Sequence, residues 1–252
     1  MYNWEMNEMD NKVVLVTGSS KGIGKATIIE FAKRGYNVVI NYNNSEHEAI
    51  ELKQYIDNTF NIKSLLVKAD VTNENQVKEM VTTIINEFKH IDVLVNNAGI
   101  AIDKDFEDRT VEDWNSTLKT NLIAPFIVSR YIGEEMIKQK QGTIINVSST
   151  NGINTFFPTS IDYYASKAGL INLTHNLAIQ YAPYINVNCV APGWVNTEMN
   201  KELPKELIEE ETAKIYKKRF AEPNEIGKVI CFLASEDASF INGEVIKVDG
   251  GY

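Results

Sequence analysis

The 252-residue sequence predicts an α/β protein: one doubly wound Rossmann-type domain with a parallel sheet of about seven strands flanked by helices. Two patterns carry this prediction. Short runs of valine, isoleucine and leucine are apolar at nearly every position, as strands buried on both faces must be. Longer segments with helical spacing alternate strictly with them, which is how βαβ units read.

Taken in order, Val13 to Thr17 reads as the first strand and Ile23 to Arg34 as the first helix, closed by Gly35. Asn37 to Asn41 is the second strand and Glu46 to Thr59 the second helix. Ser64 to Val67 is the third strand, running out through Ala69-Asp70-Val71. A helix over Glu74 to Phe88 leads to a fourth strand, Asp92 to Val95. Val111 to Gln139 predicts one long helix, kinked at Pro125. Thr143 to Val147, Asn186 to Val190 and Glu244 to Val248 are the last three strands. Tyr164 to Tyr181 and Glu225 to Ser235 are the helices between them. Residues 1–10 are expected to be a disordered extension, leaving residues 11–252 as the domain.

Composition removes several function classes. Acidic residues outnumber basic ones by 34 to 25, for a net charge of -9, so a nucleic-acid surface is not expected. Cys189 and Cys231 are far apart and have no pairing motif, which suits buried thiols in a reducing compartment. Together with His47, His90 and His175 they show no zinc-ligand spacing, so no metal is expected. The first ten residues lack the basic and apolar regions of a signal peptide. The longest charge-free run, Asn176 to Thr197, is broken by asparagines and prolines and is no membrane span. A cytoplasmic protein without a membrane partner is the expectation.

The chemistry starts at the turn after the first strand, Thr17-Gly18-Ser19-Ser20-Lys21-Gly22-Ile23-Gly24. Glycines at 18, 22 and 24 permit a tight turn, and the open N–H groups of the helix that follows favour a phosphate. A bare strand-to-helix turn is the bland alternative. The strand-turn-helix context favours a dinucleotide, held by Gly18, Ser20, Lys21, Gly22, Ile23 and Gly24. Further along stand Asn96-Asn97-Ala98-Gly99, Ser148-Ser149, Tyr163-Tyr164-Ala165-Ser166-Lys167, Pro192-Gly193 with Thr197 beyond it, and Asp249-Gly250-Gly251. Tyr163 and Lys167, four apart, share one helix face. A phenol with a pKa near ~10 is a poor base at neutral pH, and a neighbouring ammonium is expected to lower that value.

This set of motifs, in this order, resembles the classical short-chain dehydrogenase/reductase family over residues 10 to 252. The resemblance implies an oxidoreductase that moves a hydride between a nicotinamide and a carbonyl/alcohol pair. Tyr163 would then be the acid/base, and Lys167 would also bind the nicotinamide ribose. Ser149, rather than Ser148, would bond the substrate oxygen. Asn121, in Thr-Asn-Leu-Ile-Ala-Pro-Phe, would support a water chain to the lysine. Asp70 and Val71 would hold the adenine, and Asn97, Ala98 and Gly99 the ribose side. Pro192, Gly193, Val195 and Thr197 would wrap the nicotinamide. Asp249 to Gly251 reads as a structural or subunit-contact element. The Ser149-to-Tyr163 interval is 14 positions, about one more than is usual for the family, and the stretch Asn154 to Asp162 is expected to absorb the extra residue as a loop.

Cofactor preference is read at the end of the second strand. Asn41, Asn43 and Asn44 stand there with no acid before Glu46, and Lys21 adds a cation. A carboxylate would grip ribose hydroxyls, whereas amides can donate to a 2′-phosphate, so NADP(H) is expected over NAD(H). The alternative leaves Lys21 solvated and the asparagines on ribose hydroxyls. Within the family the chain is most similar to 3-oxoacyl-(acyl-carrier-protein) reductases, and a sugar or polyol dehydrogenase is the runner-up. A cofactor-binding sensor without turnover is the third reading. Lys138 and Lys140 could meet an acyl thioester on a carrier protein, but Tyr184 stands where an arginine is typical. Phe156, Phe157, Pro158, Trp194 and Met199 suggest an apolar substrate wall or, equally, core packing. Residues 200–218 read as a charged helical lid. A homotetramer is implied by the resemblance.

Overall fold

The computed structural model describes residues 12–156, 158–200 and 203–252, so the expected extension at 1–10 and Phe157 lie outside the described residues. Seven strands form one parallel sheet: β1 (Val13–Val16), β2 (Asn37–Tyr42), β3 (Ser64–Lys68), β4 (Val93–Asn96), β5 (Gly142–Val147), β6 (Ile185–Pro192) and β7 (Val245–Val248). Their order is β3-β2-β1-β4-β5-β6-β7. The doubly wound reading therefore holds, with all seven strands as expected.

Successive side chains of a strand point to opposite faces, and here both faces are apolar. Val14 and Val16 join Ile28 and Phe31 of α1 (Gly22–Ala32), Leu52 of α2 (Glu46–Thr59) and Ile226 of α8 (Pro223–Leu233). Val13 and Leu15 join Met80 and Ile84 of α3 (Glu74–Phe88), Ile132 of α5 (Ala124–Gln139) and Leu177 of α6 (Ile161–Tyr181). Each such side chain, fully buried, contributes roughly 1.5–3 kcal/mol. Local signals set the helix ends. Asn73 caps α3 by accepting the Asn75 and Gln76 N–H groups, and Thr110 with Asp113 forms a capping box on α4 (Val111–Leu118).

Two elements differ from the sequence reading. The single helix expected over Val111 to Gln139 is instead α4, a π-helical turn at Lys119–Ile123, and α5. Pro125 has no N–H to give the Asn121 carbonyl, so the turn before it widens, and the Ala124 N–H reaches back to the Lys119 carbonyl. Secondly, α6 begins at Ile161, so that Tyr163 as well as Lys167 is helical. The charged segment after β6 contains α7 (Lys205–Lys214), inside the span expected for a lid.

The chain winds outward from β1 to β3, then returns to place β4 on the other side of β1. That reversal opens a crevice at the carboxyl ends of β1 and β4, the usual ligand position in such sheets.

Candidate active site

Two cavities meet in this crevice. The larger, of about 620 Å3, is lined by Gly18, Ser20, Lys21, Gly22, Asn41, Asn43, Asn44, Asp70, Val71, Asn97, Ala98, Gly99 and Lys167. The smaller, of about 260 Å3, is lined by Ser149, Thr155, Pro192, Gly193, Trp194 and Val195 among others. Ile23, Ser148, Tyr163 and Thr197 line both. Tyr163 therefore stands at the junction, with Lys167 on the larger side and Ser149 on the smaller.

The glycine turn is built for close approach. Gly18 has φ +60°, and a Cβ there would come within 2.9 Å of Ala98 Cα. A Cβ at Gly24 would meet Asn97 Nδ2 at 2.6 Å and the Gly18 carbonyl at 2.7 Å, so Gly24 packs behind the turn rather than lining the cavity. The N-cap of α1 is Lys21, whose side chain makes no capping bond, so among the described residues the first N–H groups of α1 are left without a side-chain cap. A turn whose close approaches only glycine permits, at a helix start without a side-chain cap, fits the phosphates of a dinucleotide.

Around this turn, three asparagines act mainly as braces. Asn97 Nδ2 donates to the carbonyls of Thr17 and Gly18. Asn41 is buried; its Oδ1 accepts the Gly18 N–H at 3.1 Å and its Nδ2 donates to the Val67 and Ala69 carbonyls. Its amide is thus spent on the turn and on β3, while Asn43 and Asn44 remain exposed. Asn121 lies in the π-turn, fully buried and outside both cavities. Its amide accepts the Ile100 N–H and donates to the Ile100 carbonyl and to Ser166 Oγ, tying the loop after β4 to α6. A Cβ at Gly99 would sit 3.2 Å from Asn121 Oδ1 and 3.5 Å from Lys167 Nζ, so all three converge.

The electrostatics of the Tyr163–Lys167 pair differ from the sequence expectation. Burial pushes the Tyr163 phenol above its usual pKa, and the hydrogen bond with Ser149 offsets this only in part. Burial likewise lowers Lys167, to about 8. The expected depression of the phenol by the ammonium is absent, because desolvation disfavours the charged form of each group. Lys167 Nζ donates to the Val147 carbonyl at 2.9 Å and stands 5.6 Å from the centre of the Tyr163 ring. Tyr163 is thus protonated at neutral pH and suited to give a proton. Ser148, the rival serine, donates its hydroxyl to the Lys167 carbonyl. Tyr164 lines only the smaller cavity.

A family model described as enoyl-(acyl carrier protein) reductase matches residues 18–252. The chain is 39% identical over 249 residues to a 3-oxoacyl-(acyl-carrier-protein) reductase of Thermotoga maritima, covering 96% of this chain and 98% of the relative. A reductase of the same description from Aquifex aeolicus is 39% identical over 245 residues, covering 97% and 98%. A short-chain dehydrogenase/reductase mutant from Serratia marcescens superposes with a TM-score of 0.89 at 30% identity, over 95% of this chain and 97% of that one. The chain belongs to the short-chain dehydrogenase/reductase family. As a member of this family it is an oxidoreductase acting on CH–OH groups. Among the described residues no group of acidic, histidine or cysteine side chains could hold a metal, and no helix is long and apolar enough to cross a membrane. Cys189 and Cys231 are free and buried.

Several pairings at the site carry no sequence signal. Lys21 is paired with Glu48 of α2 at 2.7 Å. Arg109 and Asp162 form a fully enclosed ion pair at 2.6 Å, and Asp162 directly precedes Tyr163. Arg109 also donates to the carbonyls of Ile102, Lys104 and Thr159, clasping the loops around the smaller cavity. Glu211 of α7 is buried and accepts from Trp194 Nε1, Tyr252 Oη and Lys214 Nζ. Trp194 does line the smaller cavity, as do Leu203, Leu207 and Tyr252, whereas Phe156 is exposed. Lys138, offered for carrier docking, is paired with Glu135.

Proposed function

We propose that this chain is an NADPH-dependent ketoreductase that reduces 3-oxoacyl thioesters, or similar neutral ketones, to the corresponding alcohols. The observation that carries the reading is the junction of the two cavities at Tyr163, with Lys167 on one side and Ser149 on the other. The larger cavity would hold the cofactor: phosphates at Gly18, Ser20, Gly22 and Ile23, the adenine by Asp70 and Val71, and ribose by Asn97 to Gly99 and Lys167. Pro192, Gly193, Val195 and Thr197 would bound the nicotinamide end. Bound nicotinamide supplies the hydride. Ser149 bonds the ketone oxygen, and Tyr163, whose phenol burial keeps protonated, gives that oxygen its proton. Lys167 holds ribose and, charged below about pH 8, favours the phenolate left behind.

NADPH over NADH is supported by the exposed amides of Asn43 and Asn44 and by the ammonium of Lys21, with no carboxylate at the end of β2. Glu48 shares Lys21, but an exposed pair of this kind is worth only ~0–1 kcal/mol and yields to a phosphate. We also read the enzyme as cytoplasmic, because unpaired thiols suit a reducing compartment. A homotetramer is supported by the exposed apolar side chains of Phe126 and Ile179 on α5 and α6 and by Phe240 near β7. The hydroxyl-rich smaller cavity also suits a polyol, so the deciding experiment compares both substrate classes. Steady-state kcat/KM is measured for acetoacetyl and crotonyl thioesters with NADPH and NADH, and for glucose with NADP+ and NAD+. Fastest turnover of the acetoacetyl thioester with NADPH is expected. A preference for glucose, for the crotonyl double bond or for NADH would refute the reading.

A further inference from the structure

Among the described residues, one fully buried polar atom at the smaller cavity has no hydrogen-bond partner in the protein. Thr155 is 8% exposed and lines the cavity beside Ser149 and Tyr163, and its Oγ1 is buried with no hydrogen-bond partner. Two other buried polar atoms lack partners among the described residues, but both belong to charged groups bonded elsewhere. Arg109 Nε is part of the clasping guanidinium, and Asp249 Oδ2 lies 2.8 Å from Lys247 Nζ. A buried hydroxyl with nothing to bond is costly, and folded proteins rarely carry one unless something else satisfies it.

Four other polar side chains of the cavity are already engaged. Ser160 Oγ bonds Asp103, Asn200 Nδ2 bonds the Val195 carbonyl, and Trp194 and Tyr252 both donate to Glu211. Among the described residues lining the cavity there is no lysine, arginine or histidine, while Asp103 is there. Among the described residues the compartment therefore offers a buried, unpartnered hydroxyl and no cation, so it disfavours an anionic group and suits a neutral oxygen.

We propose that Thr155 is a specificity-determining residue that hydrogen-bonds a second, uncharged oxygen on the substrate, while Ser149 and Tyr163 take the reacting carbonyl. The proposal rests on the ketoreductase reading and narrows it to neutral ketones carrying another oxygen nearby. Thr155 lies in the Asn154-to-Asp162 stretch, so the lengthened loop brings this hydroxyl to the site. A pocket built to bond a polar group discriminates against the analogue that lacks it, because its own group is then stranded.

The test compares ethyl acetoacetate with 2-heptanone, which has the same chain length but no second carbonyl, using NADPH and the intact chain. The wild type is expected to favour ethyl acetoacetate in kcat/KM. Thr155→Val is expected to reduce that preference roughly tenfold, the worth of about one hydrogen bond, and Thr155→Ser to restore most of it. The Tm of Thr155→Val without substrate is expected to equal or exceed that of the wild type, since valine removes an unsatisfied hydroxyl at constant shape. An unchanged preference would overturn the role of Thr155 alone. So would a lowered Tm with equal losses on both ketones, which would mean the hydroxyl is structural. Turnover of neither ketone by the wild type would overturn this inference together with the ketoreductase reading.

Discussion

Lys167 Nζ stands 5.6 Å from the centre of the Tyr163 ring, yet its hydrogen bond goes to the Val147 carbonyl. Burial lowers this lysine to about 8, whereas in the unfolded chain it titrates near 10.5. Between those values the unfolded chain binds the extra proton, so stability gained through this group rises with pH from about 8 to 10.5. Below pH 8 the full desolvation cost is present, on the order of 3 kcal/mol. Lys167→Met is therefore expected to be more stable than the wild type at pH 7 and to lose that advantage by about pH 10.5, while turnover collapses. Urea unfolding of both proteins at the two pH values checks this, and a pH-independent difference would refute it.

Arg109 and Asp162 are enclosed together, so removing one partner strands a charge. Thr117 Oγ1 donates to the same carboxylate at 2.6 Å. Asp162→Asn or Arg109→Met is expected to cost about 3–5 kcal/mol. The double variant Arg109→Met/Asp162→Leu is expected to recover part of that loss in stability. Its KM for the ketone is still expected to rise, because the loops at Ile102, Lys104 and Thr159 lose their clasp. Denaturant titration and steady-state kinetics separate the two effects.

Glu48 competes for Lys21, a cation at the asparagine-lined end of the larger cavity. Glu48→Gln is expected to lower the KM for NADPH roughly two- to threefold at low salt, with a smaller effect at high salt and little change for NADH. Lys21→Ala is expected to raise the NADPH KM several-fold. Equal effects on both cofactors would remove Lys21 from 2′-phosphate recognition.

Glu211 ties α7 to Trp194 and Tyr252 at the wall of the smaller cavity. Burial works against its charge, but hydrogen bonds from Lys214, Tyr252 and Trp194 hold the carboxyl below its ordinary value of 4.5. A depressed carboxylate gives stability that is present above that ordinary value and lost as pH falls through the folded one. Glu211→Ala is expected to raise the ketone KM about tenfold with a smaller change in kcat, and to speed proteolysis of α7. Unchanged proteolysis would show that other contacts close this segment.

The sheet was legible because β-branched runs such as Val38-Val39-Ile40 have no other use than a strand buried on both sides. Tyr163 and Lys167 were legible because four-residue spacing on a helix is a local rule. What escaped reading depends on distant partners. Nothing local marks Asp162 as the mate of a residue 53 positions away, or Glu48 as that of Lys21. Asn41 illustrates the same limit: it lines the larger cavity, and only the structure shows its amide bonded to Gly18, Val67 and Ala69. The phenol's raised pKa likewise follows from enclosure, which spacing alone does not report.

The π-turn at Lys119–Ile123 has a further consequence for the design of deletions. A π-turn holds one residue more than an α-turn, so one residue removed there would restore regular α-helical hydrogen bonding and leave the flanking helices nearly in phase. α4 leans on α6, and α5 on α3 and α6, so both segments are held against packed neighbours. A single-codon deletion in this stretch would thus be felt locally, at Asn121 and the bonds by which it ties Ile100 to Ser166, rather than through the packing of whole helices.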